Sequence, residues 1–226
     1  MQIKAVTFDV GGTLIEPSPS VGDVYAEVAA RHGLRTFSPE QLNGRFKAAW
    51  KSRESFEYSR EDWAALVDEV FDIPRSNPPS VNFFPELYGR FAEPGAWRVF
   101  DDVRPALDVL RAQGLRLAVI SNWDERLRGL LHKLQLDSYF EAFAISCEVG
   151  FPKPSPVIFR HAAAELDLWP DTILHVGDSF EMDVQGAKAA GFHALQILRS
   201  AEKVGAGIIH SLVELEPGMG KLSDHN

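Results

Sequence analysis

The sequence lacks the cysteines of a disulfide-bonded secreted protein. It contains one cysteine, Cys147, in 226 residues, so no disulfide can form within the chain. Its first residues lead directly into a strand-like run and show no signal-peptide core. We therefore expect a cytoplasmic protein, in which Cys147 is a small buried residue without a chemical role.

Long hydrophobic runs and an excess of basic residues are missing as well. No apolar stretch approaches the roughly 18 residues of a membrane-spanning helix. Lys and Arg together number 23 against 32 for Asp and Glu, which gives a formal charge of −9 and a field that repels polyanions. Neither a membrane nor a nucleic acid is an expected partner. A small phosphorylated molecule remains a candidate, because a metal and a few local donors can bind it at a pocket.

Short apolar runs rich in Val, Ile, Leu and Phe are present and predict buried strands, at residues 3–10, 115–122, 172–179 and 192–198. Helical patterns lie between the later runs. One of them has a single apolar face that ends before Gly114, formed by Val103, Ala106, Leu107 and Leu110. The alternation of strand and helix predicts an α/β fold built on a doubly wound parallel sheet.

Residues 16–97 interrupt this alternation, because they contain helical patterns but no convincing buried strand. Ser38 and Ser59 are each placed to cap the start of a helix. The second of these helices is predicted to bury one face, formed by Trp63, Leu66, Val67, Val70 and Phe71. We therefore predict that residues 16–97 are inserted into a core formed by residues 1–15 and 98–226.

Polar residues follow three of the predicted strands. Asp9 ends the first run, Ser121 and Asn122 end the second, and Asp178 ends the third. Since the carboxyl ends of parallel strands meet at one edge of a sheet, we expect these side chains to share a crevice. Lys153 is a further candidate, because prolines on both sides hold its backbone extended just before a helix. Taken alone, each residue is typical of a turn, a cap or a solvated loop.

In combination, these residues resemble the motifs of a known family, the haloacid dehalogenase-like hydrolases. The matching positions, in order, are Asp9, Ser121, Lys153, Asp178 and Asp183. The most similar segment is HVGDSFEMDVQGAKAAGF, which resembles the fourth motif of that family. The resemblance covers nearly the whole chain. It implies a Rossmann-like core, with residues 16–97 as the α-helical cap domain of subfamily I, and we expect hinges near Pro17–Ser20 and Pro94–Ala96.

The resemblance implies that Asp9 is a nucleophile toward the phosphoryl group of a small phosphorylated substrate. Two unit charges about 4 Å apart repel each other by about 4 kcal/mol at an effective dielectric constant of about 20, so Asp9 alone would repel a phosphate dianion. A divalent cation with hard oxygen ligands would relieve this repulsion. The implied cofactor is Mg2+, bound by Asp9, Asp178 and the backbone carbonyl of Gly11, with a water oriented by Asp183.

The resemblance also implies the groups that bind phosphate. Lys153 would offset the negative charge of the nucleophile and of the phosphate, and Ser121 would donate its hydroxyl to a phosphate oxygen. Backbone amides near Gly12, together with Asn122, complete the predicted phosphate site. The predicted catalytic residues are therefore Asp9, Ser121 and Lys153.

Two polar residues within the segment that resembles the fourth motif also have simpler explanations. His175 lies within a predicted strand, and we expect it to be a hydrogen-bonded core histidine rather than a ligand. Asp183 is typical of the first turn of a helix, where the helix dipole favours an acid. That explanation is compatible with a place beside the metal.

The sequence departs from the family pattern at Gly11. Phosphatases that it resembles usually carry a second aspartate there, two residues after the nucleophile, which protonates the leaving oxygen and later activates water. General acid–base groups contribute about 10²–10⁴-fold to a rate. We therefore expect esters with poorly departing alkoxides to react more slowly by about that factor.

The leading prediction is a Mg2+-dependent phosphatase that favours good leaving groups, such as acyl or aryl phosphates. The alternative is a phosphonatase, with Lys47 or Lys51 as its cap lysine, or a dehalogenase-type hydrolase, against which the retained Asp178 and Asp183 argue. The run DVGGT also resembles a phosphate turn of sugar kinases, but a longer chain and a second glycine-rich loop are missing. A catalytically weakened binding protein remains open. The sequence identifies neither the physiological substrate nor the oligomeric state.

Overall fold

The computed structural model describes residues 2–53, 56–73, 78–199 and 205–215. The chain divides into two compact units. The first, which we call the sheet unit, comprises Met1–Glu16, Val99–Glu125 and Leu134–Asn226. The second, which we call the helical unit, comprises Pro17–Arg98 and Arg126–Lys133.

The strands within the described residues are β1 (Ala5–Phe8), β2 (Ile15–Pro17), β3 (Trp97–Val99), β4 (Arg116–Ser121), β5 (Ala142–Ile145), β6 (Ile173–Gly177), β7 (His193–Ile197) and β8 (Ile208–Ile209). Six of these strands form a sheet in the order β5-β4-β1-β6-β7-β8, and all neighbours are parallel. The chain thus extends the sheet on one side of β1 and then on the other. This is the predicted doubly wound topology, and it places the carboxyl end of β1 at the switch point.

The predicted strands β1, β4, β6 and β7 are confirmed, but the sequence does not predict β5. Two of the four residues of β5 are alanines, which are depleted in strands and weaken the signal. The short strands β2 and β3 pair with each other in a separate sheet.

The helices within the described residues are α1 (Val21–Arg31), α2 (Pro39–Lys51), α3 (Arg60–Phe71), α4 (Pro79–Asn82), α5 (Phe84–Arg90), α6 (Val103–Ala112), α7 (Arg126–Lys133), α8 (Ser146–Val149), α9 (Pro156–Glu165) and α10 (Gly186–Ala189). A π-helical segment, Phe180–Gln185, precedes α10. The predicted apolar face of α6 is buried. None of the helices in the described ranges has the length and apolar character needed to cross a membrane.

Small side chains let α9 pack closely against the sheet. Ala118 of β4 and Ala144 of β5 belong to one buried cluster with Phe159 and Ala162 of α9. Alanine at the strand positions leaves room for the helix to approach. Helix α9 begins at Pro156, three residues after Lys153, with Ser155 as its N-cap.

The helical unit is built from helices that begin with strong capping signals. Ser38 caps α2 and Ser59 caps α3, as predicted, and Ser20 caps α1; each of the three forms a capping box with the residue at N3. On the predicted face of α3, four residues are buried and Trp63 is half-buried. Local capping and the apolar face therefore account for these helices.

Helix α7 groups with the helical unit, although the sequence assigns its residues to the core. The Arg126 guanidinium lies 3.5 Å from the centroid of the Tyr88 ring and donates to the Tyr88 carbonyl at 2.9 Å. Lys133 Nζ donates to Glu93 Oε1 at 2.6 Å. These cation contacts bind α7 to the inserted segment, and nothing local in the sequence predicts them.

Candidate active site

Asp9 directly follows β1 and lies at the centre of a buried polar cluster. Its backbone N–H donates to the Val176 carbonyl of β6 at 2.9 Å, which extends the parallel pairing by one residue. The Ser121 hydroxyl donates to Asp9 Oδ1 at 2.8 Å, and Lys153 Nζ donates to the same oxygen at 2.7 Å. The sheet therefore brings together the three residues predicted to form the catalytic group.

Lys153 is 4% exposed, and its ammonium group bridges two carboxylates. Nζ lies 2.7 Å from Asp9 Oδ1 and 2.5 Å from Asp183 Oδ1. The side chain of Asn122 fixes the lysine backbone: Asn122 Oδ1 accepts from the Lys153 N–H at 2.6 Å, and Asn122 Nδ2 donates to the Lys153 carbonyl at 3.0 Å. Both polar atoms of the Asn122 side chain thus hold Lys153, and a contribution of Asn122 to the phosphate site stays a prediction.

Asp183 is 1% exposed and lies on the π-helical segment. Its Oδ1 accepts from Lys153 Nζ and lies 3.1 Å from His175 Nε2, while its Oδ2 accepts from the Ser179 N–H at 2.9 Å. Gly177, at the end of β6, is necessary for this approach, since a Cβ there would overlap the Asp183 side chain. Asp183 is thus buried and surrounded by hydrogen-bond donors. These contacts constrain its side chain more strongly than a position in the first turn of a helix would.

Asp178 completes a group of three carboxylates. One oxygen each of Asp9, Asp178 and Asp183 lies within 4.8 Å of the others. Gly12 borders this group with φ +75°, and a Cβ on it would lie 2.6 Å from Asp178 Oδ2. Only glycine therefore fits at that position.

His175 is a hydrogen-bonded core histidine, as predicted. It is fully buried, with Nδ1 2.9 Å from Thr7 Oγ1 and Nε2 3.1 Å from Asp183 Oδ1. Burial lowers the pKa of His175 and so opposes the charged form of the imidazole. The sequence analysis missed its contact with Asp183. The apolar strand pattern around His175 predicts that the residue is buried, but it does not predict the hydrogen-bond partner.

The carboxylates and the lysine shift one another's ionisation. Burial raises the pKa of Asp9. Burial would raise the pKa of Asp183 too, but Lys153 and His175 hold it below its ordinary value. Burial opposes the charge on Lys153, yet Asp183 and Asp9 raise its pKa, so the ammonium persists.

The pKa of Asp178 shows how the three carboxyl groups affect one another. The residue as a whole is exposed, but loss of hydration around its carboxylate, and then repulsion by Asp9 and Asp183, raise its pKa to about 7. Three carboxyl groups thus face one ammonium group and a buried histidine whose charged form is disfavoured. The excess negative charge and the hard oxygen donors fit a divalent cation such as Mg2+.

The turn after Asp9 differs in one respect from the sequence prediction. The Gly12 N–H donates to the Ile15 carbonyl at 2.8 Å, so this amide is not available to a phosphate oxygen. Gly11, the predicted carbonyl ligand, is half-buried in the same turn. Its ideal Cβ position would lie 3.4 Å from Cζ3 of Trp123, so an indole borders the place where a second acid would stand.

Cys147 is exposed, and the prediction that it is buried is wrong. It lies in the four-residue helix α8, and its backbone N–H donates to the Trp123 carbonyl at 3.3 Å. The average burial of cysteine did not apply, because Cys147 and Glu148 lie on the exposed side of this short helix while Ser146 is buried.

Comparisons with known proteins agree with this arrangement. A family model described as haloacid dehalogenase-like hydrolase matches residues 3–191. The chain is similar to haloacid dehalogenase-like hydrolase domain-containing protein 3 of Homo sapiens, with 34% identity over 88% of this chain and 83% of that protein. It is also similar to glyceraldehyde 3-phosphate phosphatase of Methanopyrus kandleri, with 29% identity over 87% of this chain and 84% of that protein. A solved structure of a HAD phosphatase from Thermococcus onnurineus matches with a TM-score of 0.69 and 27% identity, over 94% of this chain and 96% of that chain.

Proposed function

Because the chain belongs to the haloacid dehalogenase-like hydrolase family, we propose that it is a Mg2+-dependent phosphatase that acts on a small phosphorylated metabolite through Asp9. The observation that carries this proposal is the cluster of three carboxylates around one ammonium group. Oxygens of Asp9, Asp178 and Asp183 lie within 4.8 Å of one another, and Lys153 Nζ contacts two of these side chains.

Asp9 is the proposed nucleophile. Ser121 and Lys153 both donate to Oδ1, which holds the carboxylate in one orientation before substrate arrives. A bond forms between an Asp9 oxygen and phosphorus as the P–O bond to the leaving group breaks, and the leaving group departs as its anion, which takes a proton from solvent. Water then attacks the phospho-aspartyl group, which releases phosphate and restores the carboxylate.

The chain supplies most of the remaining electrostatics. Asp9, Asp178 and the Gly11 carbonyl would hold Mg2+, with Asp183 beside them, and when bound the ion would offset the negative charge of the phosphate. Lys153 and Ser121 would bind phosphate oxygens. Since the Gly12 amide is already bonded to Ile15, the amides of Val10 and Gly11 are our candidates for the backbone donors of this turn.

The absence of an acid at Gly11 restricts the substrate. Without a group that protonates the leaving oxygen, phosphates with good leaving groups should react faster than alkyl esters. The similarity to a phosphatase named for glyceraldehyde 3-phosphate supports a small phosphorylated metabolite as the substrate class. We further propose that the helical unit is the cap domain and, from the single cysteine, that the protein acts in the cytoplasm.

No described contact favours the alternatives. A metal-free dehalogenase has no use for the excess negative charge of the three carboxylates. A phosphonatase needs a lysine activated by desolvation or a nearby cation, and Lys47 and Lys51 are both exposed on α2.

The test is turnover of acyl, aryl and alkyl phosphates, a phosphonate and a haloacid, each with Mg2+ and with chelator. We expect hydrolysis of the acyl and aryl phosphates, loss of activity in chelator and recovery on adding Mg2+. Asp9→Asn should abolish turnover, while Asp171→Asn, an exposed residue at the amino end of β6, should leave it unchanged. Full activity in chelator, or a wild-type rate in Asp9→Asn, would disprove the proposed mechanism.

A further inference from the structure

The turn that follows the nucleophile is hydrogen-bonded to an arginine that lies far away in the sequence. We propose that Arg199, together with Asp102, is a positioning residue for the reaction and acts on Asp9 through the backbone of Thr13. This inference rests on the proposed function for its catalytic consequence. Its structural part, the restraint of the loop, does not depend on any activity.

Arg199 joins three parts of the sheet unit. Its Nη1 donates to Asp102 Oδ1 at 2.7 Å and to Asp102 Oδ2 at 2.6 Å, and its Nη2 donates to the Thr13 carbonyl. The guanidinium also lies 4.1 Å from the centroid of the Phe100 ring. The side chains of Arg199 and Asp102 are only 15% and 14% exposed. Solvent screening is therefore weak and the geometry of the pair is well defined.

Asp102 is itself anchored, which prevents the pair from moving as a loose unit. Its Oδ2 accepts from the Ser211 hydroxyl at 2.6 Å and from the Leu212 N–H at 2.7 Å. The carboxylate therefore has partners on both sides. Arg199 is held against this fixed acceptor, and its second amino group is left directed at Thr13.

The loop transmits the restraint to Asp9. Thr13 is fully buried, and the next two residues, Leu14 and Ile15, donate their N–H groups to the Val10 carbonyl at 2.8 and 3.0 Å. Val10 is covalently bonded to Asp9. Residues 10–15 thus form one hydrogen-bonded turn, so a restraint on the Thr13 carbonyl limits the movement of Val10, Gly11 and the Asp9 carboxylate.

The consequence for catalysis is a loss of alignment when the restraint is removed. Misplacement of a reacting group by about 1 Å can reduce a rate by about 10²-fold. We expect Arg199→Met to lower kcat by about 10- to 100-fold with a smaller change in KM, because Arg199 contacts neither Lys153 nor Ser121 in the described structure. Arg199→Lys should lie in between, since one ammonium group can reach Asp102 or Thr13 but cannot reproduce both contacts.

The experiment combines amide hydrogen exchange of residues 9–15 with kinetics at a temperature where circular dichroism shows each variant to be folded. Arg116→Met is the matched control. Arg116 pairs with Glu141 at 2.7 Å and donates to the Leu166 carbonyl, so it also joins a carboxylate to a backbone carbonyl, but at the amino end of β4. We expect exchange in residues 9–15 to accelerate at least tenfold in Arg199→Met and to stay unchanged in Arg116→Met.

The outcomes separate this inference from the proposed function. Unchanged exchange in Arg199→Met would overturn the inference, and so would faster exchange with an unaltered kcat in an active protein. If the native chain shows no phosphatase turnover, the proposed function fails, and the affinity for Mg2+ then serves as the readout. Binding of Mg2+ by Arg199→Met that is as tight as in the native protein, or tighter, overturns the positioning role. Weaker binding supports it. Should Arg199→Met not fold, the same measurements on Arg199→Lys decide.

Discussion

Gly11 is the residue at which the chemistry of this protein can be tested most directly. Its φ lies outside the left-handed region, and a Cβ there would lie 3.4 Å from Trp123 Cζ3, which is ordinary van der Waals contact. We expect Gly11→Asp to accelerate alkyl phosphate hydrolysis by up to about 10²-fold, because the new carboxyl can protonate the leaving alkoxide. Aryl phosphates should gain much less. Steady-state rates on matched alkyl and aryl substrates measure the difference.

Two control variants identify the cause of any gain. Gly11→Asn adds nearly the same volume without an acid and should not accelerate the alkyl substrate. Gly12→Asp should lose Mg2+ binding and activity, because Gly12 has φ +75° and its Cβ would meet Asp178. If Gly11→Asp folds, binds Mg2+ and shows no preference for alkyl substrates, the acid comes from elsewhere or ester hydrolysis is not the reaction.

Lys153 should matter for stability as well as for turnover. Its removal leaves Asp183, 1% exposed, without the ammonium group 2.5 Å away. Breaking a buried ion pair in this way typically costs about 3–5 kcal/mol. We expect Lys153→Met to lower the free energy of unfolding by about that amount, as measured by urea denaturation. The variant Lys188→Met, on the exposed side of α10, should change it by less than about 0.5 kcal/mol.

At the scale of elements, Asp102 makes the attachment of the segment around Ser211 dependent on pH. Burial would raise the pKa of Asp102, but the bonds from Ser211 and Arg199 hold it below its ordinary value. A carboxyl group whose pKa is lower in the folded state than in the unfolded state stabilises the fold at pH values above its unfolded-state pKa. This contribution is lost as the pH falls through the folded-state pKa. We therefore expect Asp102→Asn to be destabilising at pH 7, by about 1–3 kcal/mol, and the difference from the native protein to shrink below about pH 4. An equal difference at both pH values would contradict this account.

Helix α3 depends on a local cap. The Ser59 hydroxyl accepts from the Asp62 N–H at 3.0 Å, and Asp62 Oδ2 accepts from the Ser59 N–H at 3.3 Å. Ser59→Ala should cost about 1 kcal/mol. Ser52→Ala is the matched control in the same unit, since that hydroxyl caps no helix start and donates to the Ala49 carbonyl at 3.0 Å; its effect should stay below about 0.5 kcal/mol. Chemical denaturation of both variants distinguishes capping from mere loss of a hydroxyl.

At the scale of the whole molecule, metal binding should stabilise one unit more than the other. The carboxylates that would hold Mg2+ all belong to the sheet unit. At a Mg2+ concentration about 100 times the Kd, binding stabilises the folded state by about 2.7 kcal/mol. We expect calorimetry to show an upward shift of about 5–10 °C in the sheet-unit transition. Asp178→Asn should remove the shift, and an equal shift in that variant would place the metal elsewhere.

Much of the architecture was predictable, because its causes are local or periodic. Ser38 and Ser59 contact residues within one helical turn, so their role can be read from adjacent letters. The apolar runs predict β1, β4, β6 and β7, and parallel strands force Asp9, Ser121 and Asp178 to the same edge of the sheet. The proximity of these candidate site residues therefore follows from fold class, although their roles remain proposals.

The sequence by itself determined the fold class, the starts of α2 and α3 and the residue types available for chemistry, since each depends on patterns along the chain. Only the tertiary structure decided which atom meets which: that Asn122 holds Lys153, that the Gly12 amide is taken by Ile15, and that α7 joins the helical unit. Arg199 is the clearest case, since it contacts a carbonyl 186 positions earlier in the chain. Such contacts are set by how packed elements approach one another, and a hydrogen bond needs that distance to within a few tenths of an ångström.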